Sequence, residues 1–296
     1  MMLSILIKRN VKLFFKDKGM FLTALITPAI LLVLYATFLG NVYRDSFLMN
    51  LPETVPLSEK LLDGLVGGQL ISSLLAVSCV TVAFCSNFLA VQDKANGSIK
   101  DLRISPVKAS TLSMGYYVAS LLSTLLICLV ATGLCLGYLG VTGWYLSVTD
   151  VLCLLLDVVL LVFFGTALSS VINFFLSTQG QISAVGTVVS AGYGFICGAY
   201  MPISSFDEGL QRVISFLPGT YGTCLMRNHA MQSALAEMEN QGIPAEAVTA
   251  LKDALDCNLY FFEKQVSIPA MYGILGAAVA ILVAVYILLN TLKKEK

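Results

Sequence analysis

The stretch VQDKANGSIKDLRISPVK, Val91–Lys108, is a charge-dense segment between two uncharged runs, each longer than a soluble core helix needs. If those runs cross a bilayer, the stretch is a polar connection on one face of it. Its local grammar is that of a short helix between turns. Asn96-Gly97 is a turn signal. Ser98 and Asp101 have the S-x-x-D spacing of a capping box, in which side chains satisfy free amides at a helix start. Ile99 and Leu102 share one face and Lys100 and Arg103 point elsewhere. Pro106 disfavours helix at Ser105 and stops it.

Composition agrees with a bilayer on both sides of this segment. The 296 residues are 57% hydrophobic and 12% charged, with a mean hydropathy of +0.84. That is too apolar for a soluble domain and fits an integral membrane protein with little mass outside the lipid. About 20 apolar residues cross a hydrocarbon core of about 30 Å. Backbone in lipid must satisfy its own hydrogen bonds, so the spanning runs are expected to be helices.

Six runs qualify: Met20–Gly40, Gly67–Val91, Ser110–Leu139, Val151–Phe175, Gln181–Met201 and Val266–Leu292. The fourth and fifth share an uncharged block broken only by the polar STQGQ, Ser177–Gln181, read as a tight hairpin. The basic stretch before Phe21 is followed by a run of spanning length with no small-residue cleavage pattern, so a cleaved leader is not expected.

Charge orients the bundle. Of the 18 Lys and Arg residues, 12 lie before Met20, in Lys94–Lys108 or after Leu292. The positive-inside rule therefore puts both termini and the Lys94–Lys108 loop in the cytoplasm. The expected fold is an all-α integral membrane protein with six spans, one domain over 1–296. The external segments are 41–66 and 202–265, and the cytoplasmic loop is 93–108.

Segment 1–18 sets Leu3, Leu6, Ile7, Val11 and Phe14 near one helical face and Lys8, Lys12 and Lys16 on another, as an interfacial amphipathic helix would. After the fifth run, Ser204 and Ser205 each precede an acid by three residues, predicting a helix start. Phe206, Leu210, Val213, Ile214 and Leu217 give that helix an apolar face. Beyond it, two short helices broken at QGIP are expected, striped by Val248, Leu251, Leu255, Leu259 and Phe262.

The chemistry of an enzyme is absent. There is no G-x-x-x-x-G-K-[ST] phosphate loop and no H-E-x-x-H. The one histidine, His229, is expected at the surface. Six of the eight cysteines lie in apolar runs as small hydrophobes. Cys224 and Cys257 lie in a polar region, where a disulfide or two free thiols both remain open. Asp157 is the one charge within the expected spans. A buried acid in a bilayer is costly and marks either a translocation path or a structural hydrogen bond. Gly64/Gly68, Gly133/Gly137 and Gly194/Gly198 have the spacing that lets helices approach closely.

In this order of parts the chain resembles the membrane subunit of ABC-2-type exporters over nearly its whole length. NGSIKDLRISPVKASTLSMG is similar to the family's glycine, leucine-rich and Pro-Val stretch at Gly97-Ser98, Leu102 and Pro106-Val107. Gly198, Pro202, Phe206, Pro218, Tyr221 and Arg227 resemble its G-x-x-x-P and P-x-x-Y-x-x-x-x-x-R arrangement. The chain departs where the family often has two glutamates before the glycine, here Gln92-Asp93-Lys94-Ala95, and where a basic residue often follows Gly115, here Tyr116.

The resemblance implies a drug- or peptide-export permease of the bacterial plasma membrane. Gly97, Ser98, Ile99, Asp101, Leu102, Arg103 and Pro106 would form the coupling helix against a nucleotide-binding ATPase. ATP and Mg would reside on that partner, and this chain would hold no cofactor. Six spans would make half a pore, completed by a second copy or a homologous permease, with no role for nucleic acid. Two other readings stay open: an ion-gradient-driven transporter, and a sensor without transport.

Overall fold

The computed structural model describes residues 2–49, 58–104 and 107–292. Helix α1, Met2–Lys16, turns at Asp17, whose carboxylate accepts from the Met20 amide at 3.1 Å and so caps α2, Lys18–Leu34. A π-helical turn, Tyr35–Leu39, carries the chain into α3, Gly40–Met49. Helix α4, Glu59–Ala95, runs unbroken for 37 residues. It is followed by α5, Ser98–Ile104, α6, Ala109–Thr142, and α7, Val148–Phe175. Helix α8 covers Gln179–Ile196 and α9 covers Glu208–Ile214. Helices α10, Pro218–Asn240, and α11, Ala245–Ala254, precede an antiparallel pair, β1 (Tyr260–Phe261) with β2 (Lys264–Gln265). Helix α12 is Ile268–Leu292.

Helix α4 is the axis, packed on α2, α6, α7, α8 and α10. Its core-facing small residues allow that approach: a Cβ on Gly68 would stand 2.7 Å from the Ala230 carbonyl of α10. Its buried hydroxyls turn back onto their own helix, Ser78 Oγ to the Leu74 carbonyl at 2.7 Å and Thr81 Oγ1 to Val77 at 3.0 Å. These two hydroxyls need no water, as a membrane interior demands, whereas the buried Gln69 amide of the same helix has no hydrogen-bond partner among the described residues. By contrast α2 and α12 expose apolar side chains such as Ile26, Ile30, Ile281 and Leu288, the surface expected to meet lipid.

Among the described residues, five helical stretches are long and apolar enough to cross a membrane: Lys18–Asp45, Glu59–Ala95, Ala109–Thr142, Val148–Phe175 and Ile268–Leu292. The fifth expected run, Gln181–Met201, is instead the 18-residue α8, whose glycines and glutamines dilute its apolarity below that of the others. The chain does break at STQGQ, between the end of α7 at Phe175 and the start of α8 at Gln179. Thr178 and Gln181 make a capping box, the Gln181 amide donating to Thr178 Oγ1 at 3.3 Å and the Thr178 amide to Gln181 Oε1 at 3.2 Å.

Three local expectations are corrected. Ser98 is the first residue of α5 rather than its cap, so the Ser98–Asp101 box is not formed; the Lys100 amide donates to the Gly97 carbonyl at 2.8 Å. Ser204 and Ser205 lie in a 3₁₀ turn, Ile203–Ser205, and the helix after them starts later, capped by Asp207. Phe262 leaves the predicted stripe: it is exposed, at positive φ in the turn between β1 and β2, while Val248, Leu251, Leu255 and Leu259 are buried.

The region 202–265 is also more than a cap. Helix α10 is woven into the bundle, antiparallel to α7, with Gly222 against Leu161 and His229 against Asp157. Its polar residues are the reason it reads as an outside segment, because hydropathy does not register a polar helix sheathed by other helices.

Candidate functional site

Gly97, at φ +81°, makes the turn between α4 and α5, a conformation that costs glycine nothing. Ile99 and Leu102 pack toward the core, while Lys100 and Asp101 are exposed. Arg103 lies within α5, and Pro106 lies outside the described residues. A short helix thus turns Lys100, Asp101 and, at its end, Ile104 outward while Ile99 and Leu102 are seated on the bundle.

The seat is built from the neighbouring helix ends. Lys94 Nζ reaches three carbonyls at the end of α7, Asn173 at 2.8 Å, Phe174 at 3.0 Å and Leu176 at 3.1 Å. A cation there satisfies orphan acceptors and complements the helix dipole. Asp93 accepts from Arg9 of α1 at 2.8 Å and from Tyr116 of α6 at 2.5 Å. Three helices therefore meet on one carboxylate beside α5. On α1 the buried face is Leu6, Asn10 and Phe14; the amphipathic reading had Leu6 and Phe14 but not Asn10.

Asp157, left open between a translocation path and a structural hydrogen bond, has two side-chain partners. It is 1% exposed. Its Oδ2 lies 2.6 Å from His229 Nδ1, and its Oδ1 accepts from Tyr272 of α12 at 2.5 Å. His229 is correspondingly not at the surface but 6% exposed. One turn along, Ser233 Oγ donates to Asp150, which also closes the Ser147 capping box. The cluster ties α7, α10 and α12 together by polar contacts in an otherwise apolar packing, where such bonds replace hydration that the site excludes.

Of the six motif residues after α8, Gly198 and Arg227 meet in a hydrogen-bonded knot. Gly198, at φ +74°, turns the chain, and its carbonyl accepts from Arg227 Nη2 at 2.8 Å. Arg227, 1% exposed, also meets the Leu255 carbonyl at 2.9 Å, Asp256 Oδ2 at 3.2 Å and Ser73 Oγ of α4 at 3.3 Å. Asp256 in turn accepts from the Ile203 amide at 2.7 Å. Burial pushes the Asp256 carboxyl up from its ordinary value, and the Arg227 charge with the Ile203 and Ser204 amides pulls against that rise. Pro202 enters the 3₁₀ turn, Phe206 packs beside Tyr221, and Tyr221 Oη donates to the Ser215 carbonyl at 2.6 Å. Pro218 opens α10 at its first turn, where a missing amide costs nothing.

Sequence reasoning missed Asp256, Ser73, Tyr272 and the burial of His229. The one local sign at Asp256 is its left-handed backbone, φ +54°, in the Asp-Cys-Asn segment, a conformation Asp tolerates better than most residues. Cys224 and Cys257 are both free, with Cys224 Sγ at 3.3 Å from the Cys257 carbonyl.

Among the described residues no group of His, Cys, Asp and Glu could hold a metal ion. The architecture is that of a multi-pass helical membrane protein whose polar clusters fasten helices. The family model for the ABC-2 type transporter matches residues 2–229, and the chain belongs to that family. Its domains are membrane subunits, and membership implies an ABC ATPase partner in general terms. Comparison with curated proteins found no match.

Proposed function

We propose that this chain is the permease subunit of an ATP-driven exporter in the bacterial plasma membrane, with both termini cytoplasmic. In this reading α8 serves as the sixth span beside the five longer stretches, and α5 docks on a separate ATPase that carries ATP and Mg. Two copies, or this chain with a homologous permease, complete the pathway. The substrate is an amphipathic drug, peptide or lipid, and the chain supplies the path while the partner supplies the chemistry.

The observation that carries the reading is the mounting of α5. A rigid helix with an exposed polar face is fixed by Gly97 to the end of α4 and seated through Ile99 and Leu102. Movement imposed on α5 therefore passes to α4 and to everything packed on it. The family match supports the same assignment.

The test is purification from the native membrane in mild detergent, followed by identification of what stays bound. A stoichiometric ATPase whose hydrolysis couples to export, with coupling lost in Leu102→Asp, supports the proposal. A chain that purifies alone and still moves solute down an ion gradient overturns it.

A further inference from the structure

Beside the first turns of α12, at the end of the bundle opposite α5, lies an open groove of about 620 Å³. One wall is a face of α12, where Ser267, Ala270 and Ile274 recur at helical spacing and are all exposed. Phe216, which follows α9, and Phe261 of β1 form the other wall. Their rings pack edge to face with centroids 5.1 Å apart. The small side chain of Ala270 keeps the space between the walls open.

The groove is polar at one end. Among the described residues that line it, Lys264 of β2 alone carries a charge. The adjacent Glu263 lines a different cavity, with Glu208 and Arg212. The Gln265 side chain donates to Asn258 at 2.9 Å and the Tyr221 hydroxyl to the Ser215 carbonyl. The Lys264 ammonium and the Ser267 hydroxyl are therefore the groups placed to meet a ligand.

The other end is apolar and runs onto the flank of α12. Ile274 begins an exposed stripe that continues through Ile281 and Leu288, part of the surface expected to meet lipid. Helix α12 has 25 residues, about 37 Å at 1.5 Å each, against a hydrocarbon core of about 30 Å. The excess sets the residues just before α12 at head-group depth, and Ile274 lies about 9 Å further in. Phe216 is 63% exposed, and Phe261 and Phe262 beside it are exposed as well. An apolar patch of this kind marks a contact with protein or membrane, and its continuity with the stripe on α12 selects lipid.

We propose that this groove is a phospholipid site, in which the Lys264 ammonium and the Ser267 hydroxyl hold the phosphodiester and one acyl chain lies along Ala270, Ile274 and the Phe216 and Phe261 rings. The Lys264 charge complements the phosphate, and the apolar walls remove the start of the chain from water. A lipid seated there fastens α9 and the β1–β2 turn to α12. The site is separate from the Asp157 cluster and the Arg227 knot, and binding there needs no ATPase.

The experiment uses the full-length protein in dodecyl maltoside micelles doped with a phosphatidylglycerol whose acyl chain carries a diazirine. Irradiation is followed by peptide mapping of the label. Label is expected on α12 around Ala270–Leu275 and around Phe216. Unlabelled phosphatidylglycerol should compete about fivefold better than a diacylglycerol with the same chains, the factor expected of one lysine at a lipid phosphate. Lys264→Glu should abolish that preference and Lys264→Arg should keep it. Lys60→Glu, the same charge change at an exposed position of α4, should leave it intact. Ala270→Trp fills the groove from an exposed position and should reduce labelling severalfold with the melting temperature unchanged. Equal competition by diacylglycerol, or labelling indifferent to Ala270→Trp, would overturn the proposal and leave unspecific lipid around α12. Competition by inorganic phosphate would overturn it in favour of an anion site that needs no lipid. Absence of label on α12 in the wild-type protein would overturn it too, as for a face covered by a second copy. ATPase association, measured on the same variants, reports separately on the proposed function.

Discussion

Tyr116 donates its phenolic hydrogen to Asp93 Oδ2 at 2.5 Å. Both lie where the chain departs from the pattern it otherwise resembles, Asp93 within Gln92–Ala95 and Tyr116 after Gly115. They lie on different helices, α6 and α4, and Arg9 of α1 joins them on the same oxygen at 2.8 Å. The departures are coupled: a phenol takes the place of a basic residue, and the cation comes from the N-terminal helix instead.

Asp93→Asn should therefore loosen α1 while leaving the spans inserted. Hydrogen exchange across residues 2–16 is expected to rise several-fold, with Tyr116→Phe giving a smaller rise. Arg9 is partly exposed, so its share of the pair is worth no more than about 1 kcal/mol. Unchanged exchange in Asp93→Asn would mean that Leu6 and Phe14 alone hold α1 down.

The Arg227–Asp256 pair behaves differently because both side chains are almost wholly buried. Removing one partner strands a buried charge, at a cost of about 3–5 kcal/mol. Asp256→Leu and Arg227→Met should each lower the thermal midpoint in detergent sharply. The double variant is expected to be less damaged than the sum of the two, which a double-mutant cycle would measure.

At Asp157 the prediction divides stability from transport. Asp157→Asn keeps a group that accepts from Tyr272, so the protein should still insert and bind its ATPase while export changes. His229→Gln should keep more function than His229→Leu, since only the former can still hydrogen-bond Asp157. Unaltered export in Asp157→Asn would leave the cluster a fastening between α7, α10 and α12 and nothing more.

Ile99→Asp and Leu102→Asp each put a charge under α5. Both should lose export by about tenfold or more with insertion and dimer formation intact. Normal export in these variants would remove the coupling assignment from α5.

Glycines on two helices make a control for packing. Gly68→Ala drives a methyl to 2.7 Å from the Ala230 carbonyl and should destabilise the protein. At Gly133 and Gly137 a Cβ meets nothing within 4 Å, so alanine there should be neutral or stabilise the helix by up to about 1 kcal/mol. Reversed rankings in a thermal-shift assay would contradict the packing of α4 on α10.

Hydropathy made the long helices legible, and the polar Ser177–Gln181 marked the break between α7 and α8. Both are local signals. Helix α10 escaped because its partners are other helices, so its sequence carries polar residues that a span would exclude. His229 and Asp157 are 72 residues apart in sequence, and no periodicity links them. Asp256 was illegible for the same reason: the residues it fastens, Ile203 and Arg227, are distant along the chain. Gly198 and Arg227 were singled out by resemblance, but only the structure joins them.

The unbroken length of α4 has a mechanical meaning. Arg227 touches it at Ser73, and the remaining 22 residues to Ala95, at about 1.5 Å each, form an arm of roughly 33 Å. In the proposed reading Ser73 would serve as the fulcrum. A swing of about 5° at that point displaces the foot of the arm by about 3 Å, the size of a side-chain contact. In the proposed reading, a small stroke at α5 and a slight tilt at the knot are one motion seen at two ends of a lever.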